Sequence, residues 1–340
     1  MGFKIQEAMT PTGAKIKVVG VGGAGGNMVN HMINFGINGV EMVVANTDTK
    51  ALHSNQATTK IQIGEKTTRG LGAGMVPDVG KQSAVESFDE LKSSLMDSDI
   101  VFIAAGLGGG TGTGAAPIVA QAAKEVGALT VSVVTKPFKF EGKKRAYLAD
   151  IGLEELKKES DSIIVIYNEK LLSIVEKNLG LKDSFRLVDD ILARAVAGMC
   201  TVILQGGNND ISVDFADVRT VMSHRGLALM GVGESSGNNA AYEASKSAIE
   251  SPLLDNLSIN GALGVLVHFQ IHPSYPLHEI SEAMSMIEES ADPNANVIFG
   301  TTTDENLDEH KVKVTIVATG FEKELSKKEH EISSSNLKLV

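Results

Sequence analysis

The sequence lacks tryptophan, has a single cysteine, Cys200, and contains no apolar run of about 18 residues. One cysteine excludes an intrachain disulfide and is typical of a reducing cytoplasm. No transmembrane segment is predicted, and Met1 to Gly13 lack the charged-then-apolar pattern of a signal peptide. We therefore expect a cytoplasmic protein without direct membrane insertion.

An excess of basic residues is also absent, since the formal net charge is −11. A general nucleic-acid binder gains affinity from a basic surface, so no nucleic-acid partner is predicted. The 340 residues, 43% of them apolar, are more than one hydrophobic core usually serves. Two packed domains are therefore expected.

Short apolar runs alternate with helical stretches in the first half of the chain. Ile16 to Val21, Ile100 to Ala105 and Ser162 to Tyr167 are predicted strands. Their Val- and Ile-rich runs favour a parallel sheet that is covered on both faces. Between strands, Gly64 to Gly80 is predicted as an irregular loop and Val79 to Met96 as one helix.

Leu181 to Leu204 has apolar residues at helical spacing without a proline, which predicts one helix roughly 36 Å long. The second half is predicted to form a smaller α/β domain, with strands that include Gly264 to Ile271 and Lys311 to Thr319. From Phe321 onward the chain is rich in Lys, Glu and Ser, which predicts a flexible tail.

A first glycine-rich segment, Gly20 to Asn27, follows a strand and opens a helix. Glycines let the backbone approach a ligand closely, and a helix start offers free N–H groups to a phosphate. Gly20, Gly22 and Gly25 also satisfy the dinucleotide pattern G-x-G-x-x-G, so an NAD-dependent oxidoreductase is an alternative. That fold places an acidic residue at the end of the second strand, whereas this strand ends on Asn46.

A second glycine-rich segment, Gly108 to Gly114, is more specific. Five glycines and two threonines lie between a strand and a helix, and such an array of N–H groups binds an oxyanion. No Walker-type P-loop is present. Two such loops at strand ends of one sheet predict a nucleotide site there.

The second loop is the signature of a known family, and the sequence around it resembles the tubulin/FtsZ family of GTPases from about Ile16 to Gly320. Further matching segments occur in the order of the family: Gly22 to Asn27, Asn46-Thr47-Asp48, Thr67 to Gly74, Pro137 to Arg145 and Val213 to Thr220. The resemblance implies a Rossmann-like GTPase domain, a long central helix and a smaller activation domain. The predicted domain bounds are 1–180, 181–206 and 207–320, with a flexible tail at 321–340.

The resemblance also implies a guanine-nucleotide site that binds GTP or GDP, with Mg²⁺ accompanying the nucleotide. Glu141 would hold the ribose and Arg145 would lie beside the nucleotide, while Asn168 and Asp189 would read the guanine edge and Phe185 would stack on the base. Asp190 is an alternative reader. The remaining expected nucleotide contacts are Gly22, Gly23, Ala24, Gly25, Gly26, Asn27, Asn46, Gly109, Gly110, Thr111, Gly112 and Thr113.

Asp214 and Asp217 are the catalytic candidates, because they open a helix on one face and could polarise an attacking water. The same pair is also a plain helix-capping arrangement. The resemblance implies that these residues act on the nucleotide of the next molecule in a head-to-tail filament. No metal site formed by protein side chains is predicted.

The resemblance further implies a role in bacterial cell division at mid-cell, with other division proteins and membrane tethers binding the C-terminal region. Two departures from the family bear on this expectation. Ser212 replaces the usual Asn before Asp214, which could alter contact with the neighbouring nucleotide. The tail after Gly320 lacks the usual apolar-basic anchor peptide, so either the chain is truncated or its tethers bind differently.

Overall fold

The computed structural model describes residues 13–37, 39–171, 180–204, 211, 213–224, 226–251 and 259–321. Within these residues the strands are β1 Ile16–Val21, β2 Val40–Asn46, β3 Thr59–Gln62, β4 Ile100–Gly106, β5 Leu129–Lys136, β6 Ser162–Tyr167, β7 Gly226–Ser236, β8 Gly264–Ile271, β9 Asn296–Thr303 and β10 Lys311–Thr319. The predicted bounds of β1, β6, β8 and β10 are confirmed.

The helices in the same residues are α1 Gly22–Asn34, α2 Thr49–Ser54, α3 Glu65–Thr68, α4 Pro77–Glu86, α5 Phe88–Ser94, α6 Thr111–Glu125, α7 Lys143–Glu159, α8 Asn168–Leu171, α9 Leu181–Leu204, α10 Phe215–Met222, α11 Ala240–Ile249 and α12 Leu277–Ser290. A 3₁₀ turn, Lys139–Glu141, precedes α7. The long helix has the bounds that its apolar spacing predicts.

The strands pair in the order β3-β2-β1-β4-β5-β6-β7-β10-β8-β9. All pairs from β3 to β7 are parallel, whereas β10 runs antiparallel to both β7 and β8. Helices cover both faces, so the predicted α/β fold class is confirmed. The predicted tail beyond residue 321 and Ser212 lie outside the described residues, and the domain bounds stay a prediction.

Alternate residues of the parallel strands enter two separate cores. Val18 and Phe102 pack with α1 and α9 on one face, whereas Val19 and Ile103 pack with α4 to α7 on the other. Successive side chains of a strand point to opposite faces, so a strand buried on both sides is apolar at nearly every position. This explains the uninterrupted apolar runs in the sequence.

Helix α9 packs against α1 and also contacts β8 and β9. Its buried residues share one core with side chains of β1, β4, β7 and β8. The far face of β7, β8 and β10 packs on α11 and α12 in a third core. Helix α9 therefore extends from the strands β1 and β4 to the strands β8 and β9.

Two predictions between β3 and β4 are wrong. The segment from Gly64 to Gly80 is not irregular throughout, because it contains α3 and the first turn of α4. The helix predicted from Val79 to Met96 is two helices, α4 and α5, that meet at Ser87. Ser87 leaves the helical conformation, and its hydroxyl accepts a hydrogen bond from the Gly64 N–H at 3.2 Å. This tertiary contact is not visible in the helical spacing.

Candidate nucleotide site

A cleft of about 420 Å³ lies at the carboxyl ends of the parallel strands. Both glycine-rich loops line it, as expected for a ligand site in an open α/β sheet. Twelve of the predicted nucleotide-binding residues line the cleft: Gly23, Ala24, Asn46, Gly109, Gly110, Thr111, Gly112, Glu141, Arg145, Asn168, Phe185 and Asp189. Residues that are distant in sequence therefore meet in one place.

A larger cavity of about 790 Å³ lies between α9 and the antiparallel strands. Arg194, Gly198 and His268 are among its lining residues, and none of the predicted site residues lines it. The smaller cleft is the candidate site, because only there do the two loops present their backbone N–H groups.

The first loop is the opening turn of α1. Gly22 has φ +72°, a left-handed conformation that favours glycine, and it lies against the second loop. Gly23 and Ala24 line the cleft, whereas Gly25 is buried against the carbonyl of Ala104. Gly26 is buried as well. The loop therefore combines residues that face the cleft with residues that let α1 approach the sheet.

The second loop leads into α6, whose first N–H groups have no partner within the helix. The N–H of Gly108 donates to Thr113 Oγ1 at 2.8 Å, which closes the loop on itself. Thr111 Oγ1 lies 2.6 Å from Thr47 Oγ1, and this contact joins the loop to the end of β2. Both contacts are made within the protein, and the helix dipole favours an anion at this end.

The middle of the cleft carries a salt bridge. The Glu141 carboxylate accepts a hydrogen bond from the Phe138 N–H at 2.9 Å and pairs with Arg145. Arg145 Nε and Asn168 Oδ1 are buried without a hydrogen-bond partner among the described residues. Buried polar atoms are rarely left unpaired, so both atoms are available to a ligand in the cleft.

The far end of the cleft contains Asp189, on the first turns of α9. Burial raises the pKa of Asp189 to about 6, and a hydrogen bond with the Asn27 side chain acts in the opposite direction. Asp190 does not line the cleft, and its carboxylate accepts a hydrogen bond from Arg194 Nε at 2.8 Å. The geometry thus brings Asp189, and not Asp190, to the cleft.

Asp214 and Asp217 do not line the cleft. Asp214 caps α10, since its carboxylate accepts a hydrogen bond from the Ala216 N–H at 3.1 Å. Asp217 is exposed in the first turn, and no ion pair with it is found among the described residues. Within one chain Asp214 therefore caps the helix, and neither aspartate reaches the cleft.

Some lining residues were not predicted as site residues. Asp48 lines the cleft and caps α2 by accepting a hydrogen bond from the Ala51 N–H at 3.1 Å. Gly72 to Met75 form the loop between α3 and α4 and also line the cleft. Both segments belong to motifs that carry the family resemblance, so a signal was present in the sequence.

Among the residues described, no group of three or more His, Cys, Asp or Glu side chains is placed to bind a metal ion. Nor does any described helix have the length and apolarity that crossing a bilayer requires. The fold and the cleft together are those of an α/β nucleotide-binding protein, in which two glycine-rich loops line the cleft and no Walker-type loop is present in the sequence.

Comparison with known proteins identifies the family. Residues 15–176 match the GTPase domain of the tubulin/FtsZ family, and residues 226–322 match the C-terminal domain of the FtsZ family. The chain is 48% identical to the cell division protein FtsZ of Helicobacter pylori strain J99 over 322 residues, which cover 94% of this chain and 83% of that protein.

Solved structures agree with this match. An empty FtsZ dimer from M. jannaschii is 48% identical, with a TM-score of 0.86 over 91% of this chain and 89% of that one. A mutant of the same M. jannaschii protein gives a TM-score of 0.87 over 92% of each chain. The chain belongs to the tubulin/FtsZ family, and it is a GTPase that binds GTP and GDP. The oxidoreductase alternative is therefore wrong.

Proposed function

We propose that this chain hydrolyses GTP only in a head-to-tail filament, in which Asp214 and Asp217 of one molecule complete the cleft of the next. The observation that carries this proposal is that, among the described residues, every carboxylate lining the cleft already has a partner within the chain, whereas Asp217 is exposed and has no ion pair. Glu141 is paired with Arg145, Asp48 caps α2, and Asp189 is hydrogen-bonded to the Asn27 side chain. In this proposal Asp217 of the next molecule, with Asp214 beside it, supplies the carboxylate that activates water.

The two glycine-rich loops hold the phosphates in this proposal. Glu141 and Arg145 lie beside the ribose, and a carboxylate oxygen can accept a further hydrogen bond beyond those it already makes. Asp189 accepts from both the N1–H and the 2-amino group of guanine, whereas adenine offers no such pair of donors. Asn168 contacts the base with its unpaired Oδ1, and Phe185 stacks on it. Mg²⁺ would accompany the nucleotide and offset the charge of its phosphates, since no described cluster of side chains is placed to hold the ion alone.

Self-association is supported by the relative from M. jannaschii, an FtsZ whose structure is a dimer. A contact between two different surfaces that does not close into a ring gives an open filament. By its likeness to the cell division protein FtsZ, the filament forms the division ring at mid-cell in the cytoplasm. Other division proteins and membrane tethers bind the C-terminal region.

GTP hydrolysis measured across protein concentration tests the shared site. Specific activity should rise from near zero above a threshold that coincides with filament formation by light scattering. Filaments without phosphate release would instead favour a structural nucleotide-binding polymer. Activity that is independent of concentration would refute the proposal.

Complementation between two inactive variants gives the sharper test. Asp217→Ala keeps an intact cleft, and Asp189→Ala keeps an intact catalytic loop. In mixed filaments, formed by equal amounts and checked by co-sedimentation, about a quarter of the contacts join two intact halves, so about a quarter of the wild-type activity returns. Asp89→Ala is the matched control, because Asp89 is an exposed aspartate in the first turn of α5. Co-sedimenting mixtures without activity would contradict a shared site.

A further inference from the structure

Three phenylalanines form a cluster beside the base end of the cleft. Phe138 and Phe140 are stacked, with ring centroids 5.0 Å apart and an interplanar angle of 16°. Phe185 stands nearly perpendicular to both, at 89° to Phe138 and 83° to Phe140. The ring of Phe185 therefore makes an edge-to-face contact with each ring of the stacked pair.

The stacked pair of Phe138 and Phe140 is anchored by burial and by hydrogen bonds of the surrounding backbone. Phe138 is 2% exposed in the sheet core, and its N–H donates to the Glu141 carboxylate. Lys139 N–H donates to the Glu169 carboxylate at 3.0 Å, which ties the 3₁₀ turn to α8. Phe140 lies on this turn between Lys139 and Glu141, and both neighbours make these hydrogen bonds.

Phe140 itself is 61% exposed and does not line the cleft. Its ring contacts are with Phe138 and with Phe185, whose side chain does line the cleft. Burial of so small a part of the Phe140 ring contributes little to the free energy of folding. Its position beside Phe185 therefore has another explanation. Edge-to-face contacts favour one relative orientation of the rings, and both Phe138 and Phe140 make such a contact with Phe185.

We propose that Phe140 is a positioning residue for nucleotide binding, which holds the Phe185 ring in the plane that stacks on a purine base. This inference rests on the proposed guanine site. Phe140 contacts Phe185 and does not line the cleft, so in this proposal it acts on the base through Phe185. It contributes to the recognition of any purine base and does not distinguish guanine from hypoxanthine.

The test measures GDP binding by calorimetry on unassembled protein. Loss of base stacking in Phe185→Ala should weaken binding about 5- to 150-fold. Loss of the orienting contact in Phe140→Ala should weaken it about 2- to 10-fold, with the same factor for inosine diphosphate. Phe140→Tyr keeps the ring and should restore wild-type affinity. Tyr147→Ala is the matched control, since Tyr147 is 66% exposed on α7 and no ring contact joins it to the cluster among the described residues.

The double variant separates positioning from a general structural role. With Phe185 already replaced by Ala, replacing Phe140 should cause no further loss, because coupled residues are not additive. An equal loss in both backgrounds would overturn the proposal. So would unchanged GDP affinity with a raised assembly threshold, which would make Phe140 a contact between molecules. Failure of the wild-type protein to bind GDP would instead refute the guanine site itself.

Discussion

Acidification should weaken guanine-nucleotide binding through Asp189. In the empty cleft, burial raises the pKa of this carboxyl from 3.8 to about 6. Guanine presents two donors, so the bound carboxylate must be ionised and its pKa must be lower in the complex than in the free protein. Affinity is therefore complete well above pH 6 and is lost as the pH falls through 6.

The magnitude follows from the free-state pKa of about 6. At pH 7.5 nearly all of the carboxyl is ionised, whereas at pH 5 about a tenth is, so the dissociation constant for GDP should rise about tenfold, or about 1.4 kcal/mol. The assay is calorimetry on unassembled protein at several pH values. Buffers of different ionisation enthalpy should reveal proton release on binding near pH 6.

Asp189→Asn is the control. It removes the titration of the Asp189 carboxyl but keeps that of the terminal phosphate of GDP, whose pKa is also near 6. The variant should bind GDP more weakly than wild type at pH 7.5, and this difference should shrink about tenfold at pH 5. Thermal melts at each pH check that both proteins stay folded. An identical pH dependence of binding in the two proteins would refute the assignment of Asp189 to the base.

Two further predictions concern packing. In Gly114→Ala the new Cβ would lie 1.9 Å from the Pro77 carbonyl oxygen, so α4 and α6 must separate. Overpacking of this kind should lower the free energy of unfolding by about 1–3 kcal/mol, which thermal melts would measure. A melting point equal to that of wild type would contradict this prediction. Gly23→Ala is the matched control, since its Cβ meets nothing within 4 Å. Cys200 is fully buried and burial raises the pKa of its thiol, so it should react with a thiol reagent only after denaturation; rapid reaction in the folded protein would show that α9 opens.

Apolar patterns predicted most elements of the fold, because they report local backbone geometry and burial. The uninterrupted apolar run of Ser162–Tyr167 and the helical spacing of Leu181–Leu204 gave the observed bounds of β6 and α9. The break at Ser87 could not be predicted in this way. Both sides of Ser87 are helical, and the contact that separates them is with Gly64 on another segment.

The candidate site was predictable to the extent that its parts have local signatures. Glycines at strand ends indicated phosphate binding, and family resemblance supplied Glu141 and Asp189. The sequence did not show whether Glu141 and Arg145 contact each other. In the structure they form a salt bridge, and both line the cleft. The Phe140 contact with Phe185 had no signal in the sequence, because 44 positions separate the two residues.

The sequence by itself determined the order of strands and helices, the two backbone phosphate loops and the family, because each depends on residues that are close together in the chain. Only the tertiary structure decided which of two adjacent aspartates faces the cleft, since that depends on how α9 is rotated against α1. It also decided that Asp214 and Asp217 lie away from the cleft of their own chain. Distances between remote residues are set by tertiary packing, which local sequence patterns do not report.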